Sequence, residues 1–237
     1  MEKVYVIILA SGLGKRTGKN IPKQYMNIGN TTVLEKTLDK FNKNKNIDHI
    51  ILVVNPDFNQ YISESKLSNK FSKILKIVEG GKTRRESSFN GINQIIDKEA
   101  LALIHDAVRP FVSTKTINNC IDGLTLFDAV YPAIPSADTI IQVDKNIKFV
   151  DNIPKRKKML IGQTPQGFKL SKLRKAHELA LKDKNVDNEV TNDCGLIERY
   201  NICKIHVVKG NRENIKVTYP EDLKILKRLF IKNTKED

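Results

Sequence analysis

The chain has 237 residues, a formal net charge of +14 at pH 7, 40% hydrophobic residues and no Trp. This length and apolar content predict one folded domain rather than a disordered chain. No apolar run approaches the roughly 20 residues that a membrane span requires, and the three scattered cysteines form neither a disulfide framework nor a zinc motif. We therefore expect a soluble cytoplasmic protein with a single domain at 1–232 and a frayed tail at 233–237.

The first half of the sequence alternates short apolar runs with amphipathic segments. Unbroken apolar runs that are each followed by a helix are typical of a largely parallel sheet covered on both faces. Thr32 and Glu35 have the spacing of a capping box at the start of the first helix. The pattern predicts a Rossmann-like α/β fold, with strands at 4–10, 50–54, 74–78 and 101–105 and helices at 32–44, 57–68, about 85–97 and about 114–126.

The second half contains a different pattern, because two alternating apolar segments flank a polar turn at 144–146. They predict a β-hairpin with strands at 139–143 and 147–150. The hairpin has little to pack against locally, so we expect an arm at about 138–161 that forms a homodimer. The remaining predicted elements are helices at 171–181, near 191–200 and from 220 to about 230, and a strand at 202–208. Thr218, Glu221 and Pro220 mark the start of the last helix.

The first predicted strand runs directly into a glycine-rich loop, Ala10 to Arg16 (ASGLGKR). Glycines at such a position let backbone N–H groups approach a phosphate. The loop is not the dinucleotide fingerprint, since Thr17 replaces its third glycine, and it lacks the spacing of a P-loop. Its density of positive charge favours a triphosphate, and the cations are Lys15, Arg16, Lys19 and Lys23.

The net charge alone would suit nucleic acid, an anionic membrane surface or phosphorylated small molecules. Lys, Ile and Asn are abundant throughout the chain, so part of the net charge reflects its overall composition and not a binding site. The sequence lacks aromatic stacking platforms and helix-turn-helix or zinc-finger patterns, and we therefore expect neither a nucleic-acid nor a membrane partner. The remaining excess lies in three segments: five cations against one acid before residue 25, ten against one at 145–175, and eight against three at 204–232.

The glycine-rich loop, followed by PKQY at 22–25, resembles the signature of the sugar- and polyol-phosphate nucleotidylyltransferases. More narrowly, it is similar to the 2-C-methyl-D-erythritol 4-phosphate cytidylyltransferase family. Five further blocks agree in order and spacing over residues 4 to about 230. They are Gly80-Gly81 with Arg84 and Ser87, HDAVRP at 105–110, Asp138-Thr139, QTPQ at 163–166, and NIKVTYPED at 214–222.

The resemblance implies that a phosphate oxygen of a polyol phosphate attacks the α-phosphorus of CTP and that pyrophosphate leaves. A phosphate monoester with a second pKa of about 6 is already ionised at neutral pH, so no general base is needed. Catalysis would then consist of positioning and charge neutralisation. This agrees with the absence of a Ser-His-Asp or Cys-His pattern in the sequence.

The resemblance also implies a role for each matching residue. The catalytic cations would be Arg16, Lys23 and Lys216, and Asp106 would bind Mg²⁺ or another divalent cation. CTP would be bound by Ala10, Ser11, Gly12, Gly14, Gly81, Ser87 and Ala107. The polyol phosphate would be bound by Arg109, Thr139, Arg156, Thr164 and Thr191, with Thr139, Arg156 and Thr164 reaching across the dimer.

Several of these residues have a simpler structural interpretation. Asp106 could cap the following helix, Lys216 and Arg156 could be solvated surface cations, and Thr191 could be a helix N-cap. His105 is expected to be a structural hydrogen-bonding residue rather than a catalyst.

Departures from the family pattern leave the acceptor open. Ser11 and Thr17 replace residues common in the family, but the departures that bear on the acceptor are Lys82 and Asn192. The related ribitol-5-phosphate cytidylyltransferases share the loop and the HDAVRP block. The segments 83–91 and 220–223 favour the methylerythritol enzyme, with a ribitol-5-phosphate enzyme as the alternative.

Overall fold

The computed structural model describes residues 2–13, 21–219 and 221–233. Gly14, Arg16 and the neighbouring cations Lys15 and Lys19 lie outside the described residues, as do Thr17, Pro220 and the tail beyond 233. The described residues form twelve strands: β1 (Val4–Ala10), β2 (Asn27–Ile28), β3 (Thr31–Thr32), β4 (His49–Val54), β5 (Ile74–Glu79), β6 (Leu101–Asp106), β7 (Ala129–Pro135), β8 (Gln142–Val143), β9 (Val150–Asn152), β10 (Leu160–Gly162), β11 (Gln166–Lys169) and β12 (Ile205–Lys209).

Nine α-helices occur within the described ranges, and short 3-10 turns lie at Lys23–Tyr25, Pro56–Phe58 and Arg156–Lys158. The helices are α1 (Val33–Asn42), α2 (Asn59–Ser65), α3 (Leu67–Lys70), α4 (Arg84–Ile92), α5 (Thr114–Leu124), α6 (Leu170–Ala180), α7 (Val186–Glu189), α8 (Asp193–Arg199) and α9 (Asp222–Asn233). None of these helices is long and apolar enough to cross a bilayer.

The central sheet is mostly parallel, as predicted. β1 pairs in parallel with β4 and β6, and β4 pairs in parallel with β5. Beyond β6 the order changes, because β11 lies antiparallel between β6 and β7. β7 also pairs with β10 in antiparallel and with β12 in parallel orientation. The sheet is therefore parallel at its centre and mixed at one side.

Successive side chains of β1 enter two different cores, which shows that the sheet is buried on both faces. Val6 and Ile8 pack in one core with α1 and α5, whereas Tyr5 and Ile7 pack in the other with α4, α6 and α8. Ile7 is fully buried, and burial of such a side chain contributes about 1.5–3 kcal/mol. The unbroken apolar runs of the sequence thus predict the central strands correctly.

The capping box predicted at the first helix is confirmed. The Glu35 N–H donates to Thr32 Oγ1 at 3.1 Å, and the Thr32 N–H donates to Glu35 Oε2 at 3.0 Å.

Two other predicted helix starts are wrong. The Oδ1 atom of Asn192, not Thr191, caps α8 by accepting from the Gly195 N–H at 3.0 Å. The last helix, predicted to start at Pro220, begins at Asp222, whose carboxylate accepts from the Thr218 and Tyr219 N–H groups.

The single helix predicted at 57–68 and the long helix predicted at 85–97 also need correction. The first is split into α2 and α3 by Lys66, whose φ of 50° lies in the left-handed region. The second, α4, ends at Ile92, in a segment where Asn90, Gly91 and Asn93 have low helix propensity.

The arm is a hairpin, although its strands are shorter and shifted relative to the prediction. β8 pairs with β9 only through Gln142–Asn152 and Val143–Val150. The loop between them is fixed by Asp144, whose Oδ1 accepts from the Lys148 and Phe149 N–H groups at 2.7 and 3.0 Å. Apolar side chains of the arm remain exposed within one chain, among them Ile147 (79%), Phe149 (73%) and Ile153 (60%).

Candidate active site

A cleft of about 940 Å³ lies beyond the carboxyl ends of β1 and β6. The first turn of α4, the 3-10 turn at Lys23–Tyr25 and the segment 214–218 border it. Ligands of open α/β sheets bind at this end of the strands. Predicted site residues among those that line the cleft are Ser11, Gly12, Lys23, Gly81, Ser87, Asp106 and Lys216.

One wall of the cleft is a hydroxyl-centred cradle. Ser11 Oγ donates to Ser87 Oγ at 2.9 Å, and the Gly81 N–H donates to the same oxygen at 3.1 Å. Ser87 Oγ in turn donates to the Thr83 carbonyl at 2.9 Å. A Cβ atom on Gly80 would overlap the Ser11 side chain. The predicted loop and the predicted Gly-Ser block therefore come together, and the close approach requires glycine.

The glycine-rich loop is supported from beneath by Gln24. Its Nε2 atom donates to the carbonyls of Ala10 and Gly12 at 2.6 and 2.9 Å. Gln24 is buried. The PKQY motif contains Gln24, but its local sequence does not indicate this role. The available signal was an amide side chain that follows the glycine-rich loop, since a polar group that folding buries needs partners.

Lys23, from the first part of the chain, contacts a segment close to its carboxyl end. Its side chain is buried, and Nζ donates to the Val217 carbonyl at 3.2 Å and the Thr218 carbonyl at 2.9 Å. An ammonium group buried in this way is held in one position. Lys23 thus lies in the cleft beside the segment that carries Lys216.

Asp106 is the centre of a cluster of cations. Its Oδ2 atom lies 2.9 Å from Lys216 Nζ and 3.6 Å from Arg109 Nε, and its Oδ1 atom lies 3.4 Å from Arg84 Nε. Burial raises the pKa of Asp106, but the three cations outweigh burial and lower it well below its usual range. Asp106 is therefore ionised at every physiological pH. It does not cap the next helix, because Ser113 Oγ caps α5.

His105 lies beneath this cluster and is structural, as expected. Its Nδ1 atom is 3.0 Å from Thr164 Oγ1, and its Nε2 atom is 3.2 Å from the Arg109 carbonyl. Burial lowers the pKa of His105 to about 3, so the ring is neutral at physiological pH. The same Thr164 hydroxyl accepts from the Asp106 N–H at 3.2 Å. Thr164 is buried and supports Asp106 from below.

The structure does not bring all predicted residues into the cleft of one chain. Ala107 is fully buried, with its N–H bonded to the Leu9 carbonyl and its carbonyl accepting from Thr37 Oγ1. Thr139 and Arg156 are exposed on the arm, where Arg156 Nη1 donates to the Ala137 carbonyl at 3.3 Å.

Thr191 lines a second cavity of about 270 Å³ instead of the main cleft. Arg84 lines both cavities and therefore lies between the main cleft and the smaller cavity that Thr191 lines. No role was assigned to Arg84 from the sequence. Its carboxylate partners are 22 and 109 residues away in the chain, so local spacing contained no signal for them.

Comparison with known proteins shows the family of the chain. The family model of 2-C-methyl-D-erythritol 4-phosphate cytidylyltransferase matches residues 4–231. A protein of that name from Clostridium perfringens strain SM101 is 40% identical over 234 residues, which cover 98% of this chain and 100% of that protein. The bifunctional ribulose 5-phosphate reductase/CDP-ribitol pyrophosphorylase Bcs1 of Haemophilus influenzae is 39% identical over 227 residues, or 94% of this chain. The chain spans only 47% of the Haemophilus protein.

Solved structures give the same result. The crystal structure of 4-diphosphocytidyl-2C-methyl-D-erythritol synthase from Anaerococcus prevotii superposes with a TM-score of 0.85 and 32% identity, over 97% of this chain and 96% of that chain. The fold, the cradle and the clustered cations define a nucleotidyltransferase of the cytidylyltransferase class. Within that class, the chain belongs to the 2-C-methyl-D-erythritol 4-phosphate cytidylyltransferase family.

The buried neutral His105 predicts a specific loss of stability in acid. A base whose pKa is lowered by folding binds its proton more readily in the unfolded chain, so stability is lost as pH falls below the unfolded value of about 6.5. Between pH 7 and pH 5 this linkage amounts to about 2 kcal/mol. At pH 7 the natural protein should be more stable than His105→Gln. At pH 5 this difference in the free energy of unfolding should be smaller by about 2 kcal/mol.

Urea unfolding of both proteins in EDTA at the two pH values measures this difference. His206→Gln, which removes an exposed imidazole, is the matched control and should show no such narrowing. A constant difference between the natural protein and His105→Gln would contradict a neutral, buried His105.

Proposed function

We propose that this protein transfers CMP from CTP to 2-C-methyl-D-erythritol 4-phosphate and releases pyrophosphate. The observation that carries the proposal is the cluster of Lys216, Arg109 and Arg84 around Asp106 at the edge of the cleft. A concentration of fixed cations beside a glycine-containing cradle matches the charge of a triphosphate and a phosphate monoester. The family of the chain and the name of the Clostridium relative support this acceptor.

The reaction needs one bond to form and one to break. An oxygen of the acceptor phosphate attacks the α-phosphorus of CTP, and the bond from that phosphorus to the bridging β-phosphate oxygen breaks, so that the electron pair leaves with pyrophosphate. Lys23 and Lys216, with Arg16 from outside the described residues, would neutralise the charge on the reacting phosphates. The acceptor phosphate is already ionised. His105 is neutral and hydrogen-bonded beneath the site, which agrees with a reaction that uses no histidine base.

A divalent cation, Mg²⁺ in the first instance, fits this site as part of a complex with CTP. Asp106 supplies an ionised carboxylate at the cleft, and Mg²⁺ prefers one or two carboxylates together with substrate phosphates. No group of three or more metal-ligating side chains occurs among the described residues. When bound, the ion would neutralise part of the triphosphate charge. Asp106 would hold it at the edge of the cleft.

Ribitol 5-phosphate is the second candidate acceptor. The Haemophilus protein is named as a CDP-ribitol pyrophosphorylase and is 39% identical to this chain, nearly as similar as the Clostridium protein. Lys82 lines the main cleft and Asn192 the smaller cavity, and both depart from the pattern of the methylerythritol family. The two acceptors share a terminal phosphate and differ in the polyol.

We also propose that two chains form a homodimer through their arms, in the cytoplasm. The exposed apolar side chains of the arm, such as Ile147 and Phe149, would be covered by the partner. The same contact would bring Thr139 and Arg156 to the partner's cleft, where they would bind the acceptor. The three cysteines are free, as is usual in a reducing compartment.

An assay with each of the two candidate acceptors tests the proposed reaction. Purified protein with Mg²⁺ and CTP should release pyrophosphate rapidly with 2-C-methyl-D-erythritol 4-phosphate and slowly with ribitol 5-phosphate, as measured by a coupled phosphate assay. The reverse ranking would replace the first candidate by the second. Release with neither acceptor would contradict the proposed function.

The two described catalytic cations can be tested individually. Lys23→Ala and Lys216→Ala should each lower kcat by about 100-fold or more, since each removes a fixed charge from the reacting phosphates. Lys224→Ala removes an exposed lysine of α9 and is the control, with kcat unchanged. A near-normal kcat for either cleft variant would refute the assigned role.

If the arm forms the dimer and supplies residues to the partner's cleft, binding of the acceptor should depend on dimerisation. Replacing Phe149 and Ile153 by Ser should give a monomer in sedimentation experiments at micromolar concentration, because their apolar surface needs a partner. KM for the acceptor should rise at least about tenfold, while KM for CTP stays the same. Replacing Ile96, which is still more exposed (88%) and lies outside the arm, by Ser controls for the loss of surface apolar groups. A fully active monomer would contradict the cross-subunit site.

A further inference from the structure

The Arg84 guanidinium is shared between two carboxylates. Its Nη1 atom lies 2.6 Å from Asp193 Oδ2, and its Nε atom lies 3.4 Å from Asp106 Oδ1. The contact with Asp193 is short and strong, whereas the contact with Asp106 is long. Asp193 therefore fixes the position of the Arg84 guanidinium. Asp106 contacts only the Nε atom of that group.

Asp193 is itself fixed from several elements. It is 1% exposed, and its Oδ1 atom accepts from Ser88 Oγ at 2.6 Å and lies 3.0 Å from His177 Nε2. Its N–H donates to Gln166 Oε1 at 3.1 Å. Burial raises the pKa of Asp193, but the Arg84 charge, with His177 and Ser88, outweighs burial and lowers it. Asp193 is a rigid, ionised anchor built from α4, α6, α8 and β11.

This anchor has a consequence for Asp106. With Nη1 of Arg84 bound to Asp193, only Nε contacts Asp106, and it contacts Oδ1. Oδ2 is left to Lys216 at 2.9 Å and Arg109 at 3.6 Å. A guanidinium with no second carboxylate would bind one carboxylate with two nitrogens. It would then occupy both oxygens of Asp106 and compete with Lys216.

We propose that Asp193 is a positioning residue for the transfer reaction, which acts by holding Arg84 so that Oδ2 of Asp106 positions Lys216. The inference rests on the proposed function of Lys216 in the cleft. Asp193 touches no reacting atom in this account, since it lines the smaller cavity and not the main cleft.

The variant Asp193→Asn removes the charge at nearly constant volume. We expect kcat to fall by about 10- to 100-fold, less than the roughly 100- to 1000-fold that loss of a donor in direct contact with the reacting group costs, because Asp193 acts through Arg84 and Asp106. KM for CTP should stay within about twofold of its natural value, because the Ser11–Gly81–Ser87 cradle is not changed. Asp183→Asn breaks a similarly short but more exposed Arg–Asp pair, Arg199 Nε to Asp183 Oδ2 at 2.7 Å, which does not line the cleft, and it is the control with unchanged kcat.

A double-mutant cycle separates positioning from a general loss of structure. If Asp193 acts through Lys216, Asp193→Asn should lower kcat by less than about twofold when Lys216 is already Ala. A merely structural role would give the same fold-loss in both backgrounds and would overturn the proposal. If Asp193→Asn does not fold, Arg84→Lys is the second variant, since one ammonium group cannot bridge both carboxylates. It should show the same fall in kcat, with KM for CTP unchanged.

A crystal structure of Asp193→Asn, compared with one of the natural protein, gives a readout that does not depend on turnover. Arg84 should turn to contact both oxygens of Asp106, and Lys216 Nζ should move beyond the limit of about 4 Å for an ion pair with Asp106. Retention of the Lys216–Asp106 pair in the variant would overturn the proposal, even if the natural protein proved inactive with every polyol phosphate. That inactivity would contradict the proposed function alone.

Discussion

The site depends on one interaction, the contact of the buried Asp106 carboxylate with three cations, one of which, Arg84, is also held by Asp193. Without an anion between them, Lys216, Arg109 and Arg84 would repel one another across a few ångströms of partly buried space. Asp106 offsets that repulsion, and its own burial is tolerated because the cations surround it. The arrangement places a net excess of positive charge at the edge of a cleft, and a nucleotide triphosphate has the complementary charge.

The fold is arranged so that this contact forms. Asp106 ends β6 beside Leu9 of β1, which puts it next to the glycine-rich loop. The Lys216 segment arrives from the far end of the chain and is fixed at Val217, which is fully buried and whose N–H donates to the Val108 carbonyl at 3.0 Å. Lys23 binds the carbonyls on the other side of the same segment. Packing of α9 through Leu226 completes the small core that contains Val217.

The sequence predicted those parts of the fold whose signal is local. Apolar runs identified the central parallel strands, and the Thr32–Glu35 spacing identified the start of α1. β7 and β11 were missed because Pro132 and Pro135 interrupt one and Gly167 weakens the other. Neither has the appearance of an isolated strand, and both exist because β6 and the surrounding helices give them partners.

The residues of the candidate site also fall into two groups, those that the sequence motifs predicted and those that they did not. Ser11, Gly81 and Ser87 meet as the motifs imply, and Lys23, Asp106 and Lys216 line one cleft. Thr164 is buried beneath the site, and the cap of α8 belongs to Asn192. Arg84 and Asp193 could not be paired from the sequence, because nothing local to either residue indicates a contact across 109 positions. The roles of all these residues in binding and catalysis stay predictions, and Gly14 and Arg16 lie outside the described residues.

The central claim is that Asp106 organises cations and does not itself bind the nucleotide phosphates. Calorimetric titration of CTP into Asp106→Asn and into the natural protein, both in EDTA, tests this claim most directly. Removing the carboxylate leaves the cluster more positive, so the variant should bind metal-free CTP at least as tightly as the natural protein. A clear loss of CTP affinity in the variant would contradict the account.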